Sequence, residues 1–110
     1  MSEFRSVYIT CADEQEARHI ARAVLEERLA ACANILGKVE SLYWWQGRLE
    51  QDGEAALLLK TRADLVARLM ELVRSRHSYE VPCIVAWPIS EGDPDYLQWL
   101  SQETESSDER

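Results

Sequence analysis

Two histidines and three cysteines are the soft ligands of this 110-residue chain, and their positions bound the chemistry open to it. Cys11, Cys32 and Cys83 are odd in number, widely spaced and without a Cys-x-x-Cys pair. They read as reduced thiols, not as a disulfide framework. Cys11 closes the first expected strand, Cys83 opens the last, and His77 ends the second helix shortly before it. If those two strands are antiparallel neighbours, Cys11, His77 and Cys83 arrive at one end of the sheet. Thiolate and imidazole together suit copper(I) or zinc. Such ligands bind deprotonated, so affinity should rise with pH.

The same residues also have an ordinary reading. A free cysteine commonly packs as a small hydrophobe, and a histidine in a last helical turn complements the helix dipole. Both readings stay open on the residues alone. His19 falls outside the apolar stripe of its helix and reads as surface, while Cys32 follows an alanine-rich helix end and reads as packing. No Gly-rich phosphate loop, Gly-x-Ser-x-Gly elbow or His-Glu-x-x-His helix occurs. A Cys11 and His77 pair could serve as nucleophile and base, but no orienting third group or oxyanion pocket accompanies it. The chain is therefore expected not to be an enzyme.

The elements that must position these groups follow from local pattern. "FRSVYITC", Phe4 to Cys11, is rich in aromatic and β-branched residues and predicts a strand. Asp13 with Glu16 three positions on supplies an N-cap, and Ala17, Ile20, Ala21, Val24 and Leu25 recur at helical spacing, predicting a helix over about 13–30. Extended pattern resumes from Ala31 to Trp45, with Gly37 marking a bend or bulge. Gln46-Gly47 fits a tight hairpin turn, with Asp52-Gly53 as a bulge in the returning strand or as a rival turn. Thr61 and Asp64 form a second capping signal before a helix with Leu65, Leu69, Leu72 and Val73 on its buried stripe, ending near His77. "VPCIVAWPI" is a last strand pushed to a sheet edge by Pro82 and Pro88, and Asp93-Pro94 opens a short final helix.

Strand, helix, long hairpin, helix, strand is the split βαβ, ferredoxin-like α+β arrangement. It places both helices on one face, strands one and three parallel in the centre, and strand four antiparallel beside strand one. The other face should then turn polar. Instead "LYWW" and "ALLL" carry apolar residues to both sides of the hairpin. Tyr43, Trp44 and Trp45 lie at its heart. An uncovered apolar patch of this kind marks an interaction surface, and a closed homo-oligomer is the economical way to bury it.

Length and composition set the remaining bounds. At 110 residues, 46% hydrophobic and 29% charged, the chain is one globular domain with a core of its own. Its end, "SQETESSDER", has no apolar residue, and about 102–110 is expected to be a flexible tail. The formal net charge of −8 repels a phosphate backbone, so nucleic acid is not an expected partner. No run is long and apolar enough to span a membrane, and the start lacks the features of a secretory leader, so a cytoplasmic protein is expected.

The hairpin also carries a family likeness. "LYWWQGRLEQDGEAALLLKT", with "VLEERLAACANI", "YEVPCIVAWPI" and "GDPDYLQWL" in the same order, resembles the CutA family of divalent-cation tolerance proteins over most of the chain, from Cys11 to Leu100. The resemblance implies a ferredoxin-like fold in a tight homotrimer, with the aromatic hairpin at the subunit interface. It also implies an association with copper or other divalent cations. Copper ligands proposed in that family resemble Cys11 and a histidine pair at the end of the second helix, here Arg76-His77, so the second member of the pair is retained. The family's His-Pro-Tyr-Glu stretch becomes His77-Ser78-Tyr79-Glu80, and Cys83 stands where the family often has glutamate. Tyr79 and Glu80 keep the motif and would line the cleft between subunits, with Arg48 a further cleft residue. The architecture is similar as well to trimeric PII-type signalling modules, which leaves a small-molecule sensor, or a trimeric scaffold with no ligand, as the alternative to a metal module.

Overall fold

The computed structural model describes residues 3–104. Strand β1 (Phe4–Cys11) alternates from Val7 onward: Val7, Ile9 and Cys11 are fully buried, while Tyr8 and Thr10 point to the other face and are only partly covered. Helix α1 (Glu14–Glu26) begins where the residues demand it. Asp13 accepts from the Glu16 N–H at 2.8 Å, and the Glu16 carboxylate accepts from the Ala12 N–H at 2.9 Å, so two amides at the helix start find partners. The helix stops at Glu26, short of the expected bound, because Arg28 takes a positive φ of 59° and turns the chain into β2 (Cys32–Trp45).

The hairpin of β2 and β3 (Arg48–Arg62) closes at Gln46-Gly47, whose φ values of 51° and 78° are those of the turn that matches strand twist. Gly37, at φ 97°, sits at a register shift after Ile35, as its sequence context predicts. Asp52-Gly53 is neither bulge nor turn. These residues pair regularly with Ser41 and Glu40.

A 3₁₀ turn (Ala63–Leu65) leads into α2 (Val66–Arg76), then β4 (Ile84–Pro88) and α3 (Pro94–Glu103) complete the order. Thr61 is no cap. It is the next-to-last residue of β3, fully buried, and its hydroxyl donates to the Leu29 carbonyl at 2.6 Å, tying the strand to the turn after α1. Asp93 does cap α3, accepting from the Tyr96 N–H at 3.0 Å ahead of Pro94. The polar end expected to fray from about residue 102 is helical to Glu103, and Thr104 is buried with its hydroxyl on the Leu100 carbonyl. The rest of that stretch, 105–110, lies outside the described residues.

The sheet order is β2-β3-β1-β4, with every neighbouring pair antiparallel. This corrects the expectation that β1 and β3 run parallel. One hairpin reversal sets β3 opposite to β2, and the α1 crossover makes β1 parallel to β2, so β3 enters between them opposed to both. β4 lies on the edge, as its prolines require. The core fills the space between the sheet and the two long helices: Val7, Ile9, Leu57 and Leu59 against Ile20, Val24, Leu65, Leu69 and Val73, all fully buried. Each contributes about 1.5–3 kcal/mol of apolar burial.

Only residues 55–62 of β3 pair with β1, so the hairpin from 39 to 54 overhangs the domain. Leu42, Trp44 and Leu49 are 62, 72 and 61% exposed there. α3 packs on β3 and its Tyr96 reaches Cys32, at the far end of the sheet from the hairpin tip. That helix leaves the aromatic overhang uncovered.

Candidate metal centre

Three elements deliver one side chain each to the same point. Cys11 is the last residue of β1, Glu16 lies in the first turn of α1, and His77 caps the end of α2. Their ligand atoms all lie within 4.8 Å of one another, the one such group of histidine, cysteine and carboxylate among the described residues. Cys11 is fully buried, the His77 ring is fully covered, and the Glu16 side chain is 14% exposed. Thiol, imidazole and carboxylate form a borderline-soft set that suits zinc or copper better than magnesium or calcium.

Cys83 does not join them. β1 and β4 are antiparallel, and the register Ile9↔Ile84 puts Cys83 beside Thr10, on the face away from the helices. It is exposed, whereas Cys11 points into the core. Shared position along the strands was legible, but opposite facing was not. Glu16 supplies the third group, and its signal was present as the helper carboxylate of the Asp13 cap. A residue in the first turn after β1 has to abut the end of that strand.

The hydrogen bonds fix the protonation of His77. Its Nδ1 accepts from the Tyr79 N–H at 3.1 Å, and its Nε2 lies 2.8 Å from the Thr10 carbonyl, which can only accept. The ring is therefore neutral with its proton on Nε2. The 3.8 Å approach of Glu16 to Nδ1 brings no proton between them and is not an ion pair in this state. Glu16 also accepts from the Ser78 N–H at 2.9 Å, so two of the three groups hold the turn that follows α2. Burial pushes the Glu16 carboxyl up, but the hydrogen bonds from Ala12 and Ser78 outweigh it and hold the group below its ordinary value. Burial, then the Glu16, Glu54 and Asp13 carboxylates, push the Cys11 thiol up to about 12. It is a thiol at neutral pH.

On the other face of the sheet is a cleft of about 790 Å³ lined by Tyr8, Tyr43, Trp44, Trp45, Glu54 and the run Tyr79–Cys83, among others. Tyr79 donates to Glu54 at 2.9 Å and Tyr43 donates to Asp52. Glu80 is among its lining residues, and Arg48 opens β3 beside the hairpin turn. Among the described residues its lining holds carboxylates and no cationic side chain.

Comparison with known proteins decides the family. A model of the CutA1 divalent ion tolerance protein family matches residues 5–103. The chain belongs to the CutA1 family. It is 49% identical over 98 residues to the divalent-cation tolerance protein CutA of Thermus thermophilus, covering 89% of this chain and 95% of that one. It is 46% identical over 101 residues to protein CutA of Mus musculus, covering 92% of this chain but 57% of the mouse protein. The chain thus spans less than two thirds of the mouse relative. The crystal structure of CutA1 from Oryza sativa superposes with a TM-score of 0.93 at 39% identity, covering 96% of this chain and 97% of that one. The ferredoxin-like reading of the CutA1 fold is thereby established for this chain. Among the described residues no helix is long and apolar enough to cross a membrane.

Proposed function

We propose that this chain is a homotrimeric divalent-cation tolerance protein of the cytoplasm that binds copper or another metal ion through Cys11, His77 and Glu16, in metal homeostasis or signalling. One observation carries the reading: a thiol, an imidazole and a carboxylate converge from β1, α2 and α1 within 4.8 Å. Cys11 and His77 would hold the metal, with Glu16 supplying charge. Three free cysteines are in keeping with a reducing compartment. The trimer is supported by the uncovered overhang of Leu42, Trp44 and Leu49. A buried Cys11 held as thiol at neutral pH is a poor nucleophile, which supports a role without catalysis. The acidic formal charge of the cleft's described lining argues against an anionic small-molecule ligand there.

The test is native mass spectrometry of the reduced protein titrated with copper(I) and zinc, alongside Cys11→Ala. A trimer taking up about one ion per chain, and losing it in the variant, supports the site. A trimer that stays bare leaves the fold and assembly standing and sets the metal reading aside.

A further inference from the structure

We propose that metal capture at His77 unlocks the segment Tyr79–Cys83 from the sheet, so that occupancy of the helix-side centre is transmitted to the cleft on the opposite face. The inference rests on the metal reading above and concerns how the site is regulated.

Proton bookkeeping on one ring carries the argument. A neutral imidazole has one nitrogen lone pair and one N–H. In this fold the lone pair, on Nδ1, is taken by the Tyr79 N–H, and the proton, on Nε2, is given to the Thr10 carbonyl. A metal bound at Nδ1 displaces the Tyr79 amide directly. A metal bound at Nε2 moves the ring proton to Nδ1, where it faces the Tyr79 N–H donor to donor. By either route Tyr79 loses its acceptor.

Glu16 behaves differently. A carboxylate offers about four lone-pair sites, so it can keep the Ser78 N–H at 2.9 Å and the Ala12 N–H at 2.9 Å while it faces a cation. The hold on Ser78 survives and the hold on Tyr79 does not. The hinge therefore falls between residues 78 and 79.

What lies beyond the hinge is the wall of the cleft. Tyr79, Glu80, Val81, Pro82 and Cys83 all line it, and β4 begins at the next residue. Tyr79 is fastened at two points, its amide to His77 on the helix side and its hydroxyl to Glu54 on the open face. A partly buried amide without an acceptor turns to find water, and the ring moves with it away from Glu54. Coupling of two equilibria is reciprocal: whatever holds Tyr79 against Glu54 weakens metal binding, and whatever frees it strengthens metal binding.

Amide hydrogen exchange of the reduced full chain, with and without zinc, reads this directly, with retained zinc measured on the same samples. The amides of Tyr79, Glu80, Val81 and Cys83 should exchange roughly tenfold faster with zinc bound, those of Leu57 and Leu59 should not change, and Cys11→Ala should neither retain zinc nor show the faster exchange. Tyr79→Phe, which keeps every ligand and removes only the Glu54 bond, should bind zinc about three- to tenfold more tightly. Zinc retained with exchange in 79–83 unchanged or slowed overturns the coupling and leaves the metal site intact. Tyr79→Phe binding zinc no better than the parent also overturns it. If copper(I) is retained and zinc is not, the same exchange comparison is made with copper(I); if neither ion is retained, the metal reading fails and the coupling fails with it.

Discussion

Tyr79 donates its hydroxyl to Glu54 at 2.9 Å, joining the segment after α2 to the middle of β3 across 25 residues of sequence. Glu54 is buried and this phenol is its partner on the open face. A hydrogen bond to a charged acceptor, in a site partly open to water, is worth about 1–2 kcal/mol. Tyr79→Phe should therefore lower stability to denaturant by about that amount at pH 7, with the slope of the transition unchanged. Equal midpoints for parent and variant, at one protein concentration, would show that the bond contributes nothing.

Thr61 makes a tighter and fully buried bond, 2.6 Å to the Leu29 carbonyl. Thr61→Val keeps the volume and leaves that carbonyl without its partner. The cost of an unsatisfied buried acceptor is about 1–3 kcal/mol. The expected outcome is a loss in that range by urea unfolding, together with faster amide exchange in the turn 27–31. Thr61→Ser, which restores the hydroxyl, should recover most of it.

Features set by neighbouring residues were legible in the sequence. The Asp13 cap, the Gln46-Gly47 turn, the Gly37 irregularity and the Asp93-Pro94 helix start each depend on a few adjacent residues, and each is where the pattern placed it. Thr61 fitted a cap equally well, but its acceptor lies 32 positions away and the chain between cannot announce it. Strand direction failed for the same reason, since β3 inserts between β1 and β2 only once the whole sheet exists. At the candidate site, Cys11 and His77 do meet. Cys83 was misplaced by one face because a single step in β1–β4 register decides which side a residue takes.

Alkali should loosen this fold through two groups. Burial raises the Cys11 thiol from 9.0 to about 12, and burial followed by the Glu54 hydrogen bond raises the Tyr79 phenol as well. For each the protonated form is favoured in the folded state. The stabilisation is complete below the unfolded pKa and is lost as pH rises towards the folded one. For Cys11 the window runs from about pH 9 to 12, with a slope of up to about 1.4 kcal/mol per pH unit. Denaturant unfolding across that window should steepen in its pH dependence for the parent, and Cys11→Ala should be less stable at pH 7 yet flatter above pH 9. A variant as steep as the parent would remove Cys11 from the cause.

Metal uptake should carry the opposite sign of pH dependence. Because the Cys11 thiol is protonated throughout the neutral range, binding must release its proton. Zinc affinity, measured by competition with a chelator whose own protonation is corrected for, should rise about tenfold per pH unit between pH 6 and 8. A flat profile would mean that the sulfur is not a ligand.

Trp44 and Trp45 extend from the same strand to opposite faces, 72% and 39% exposed in the single chain. Both rings border the cleft, but Trp45 is the more covered within its own chain, so less of its surface is left for a partner. Trp44 stands with Leu42 and Leu49 on the overhang beyond β1, where the described residues leave most of its surface open. If that overhang is the trimer interface, Trp44→Ala should raise the dissociation constant by at least about 30-fold, the effect of losing a hot-spot side chain worth about 2 kcal/mol. Trp45→Ala should act in the same direction and less strongly. Sedimentation velocity over a dilution series reads both, with far-ultraviolet circular dichroism to show that the chain remains folded. An assembly that survives dilution unchanged in both variants would move the interface away from the hairpin, and the exposed aromatic pair would then need a different partner.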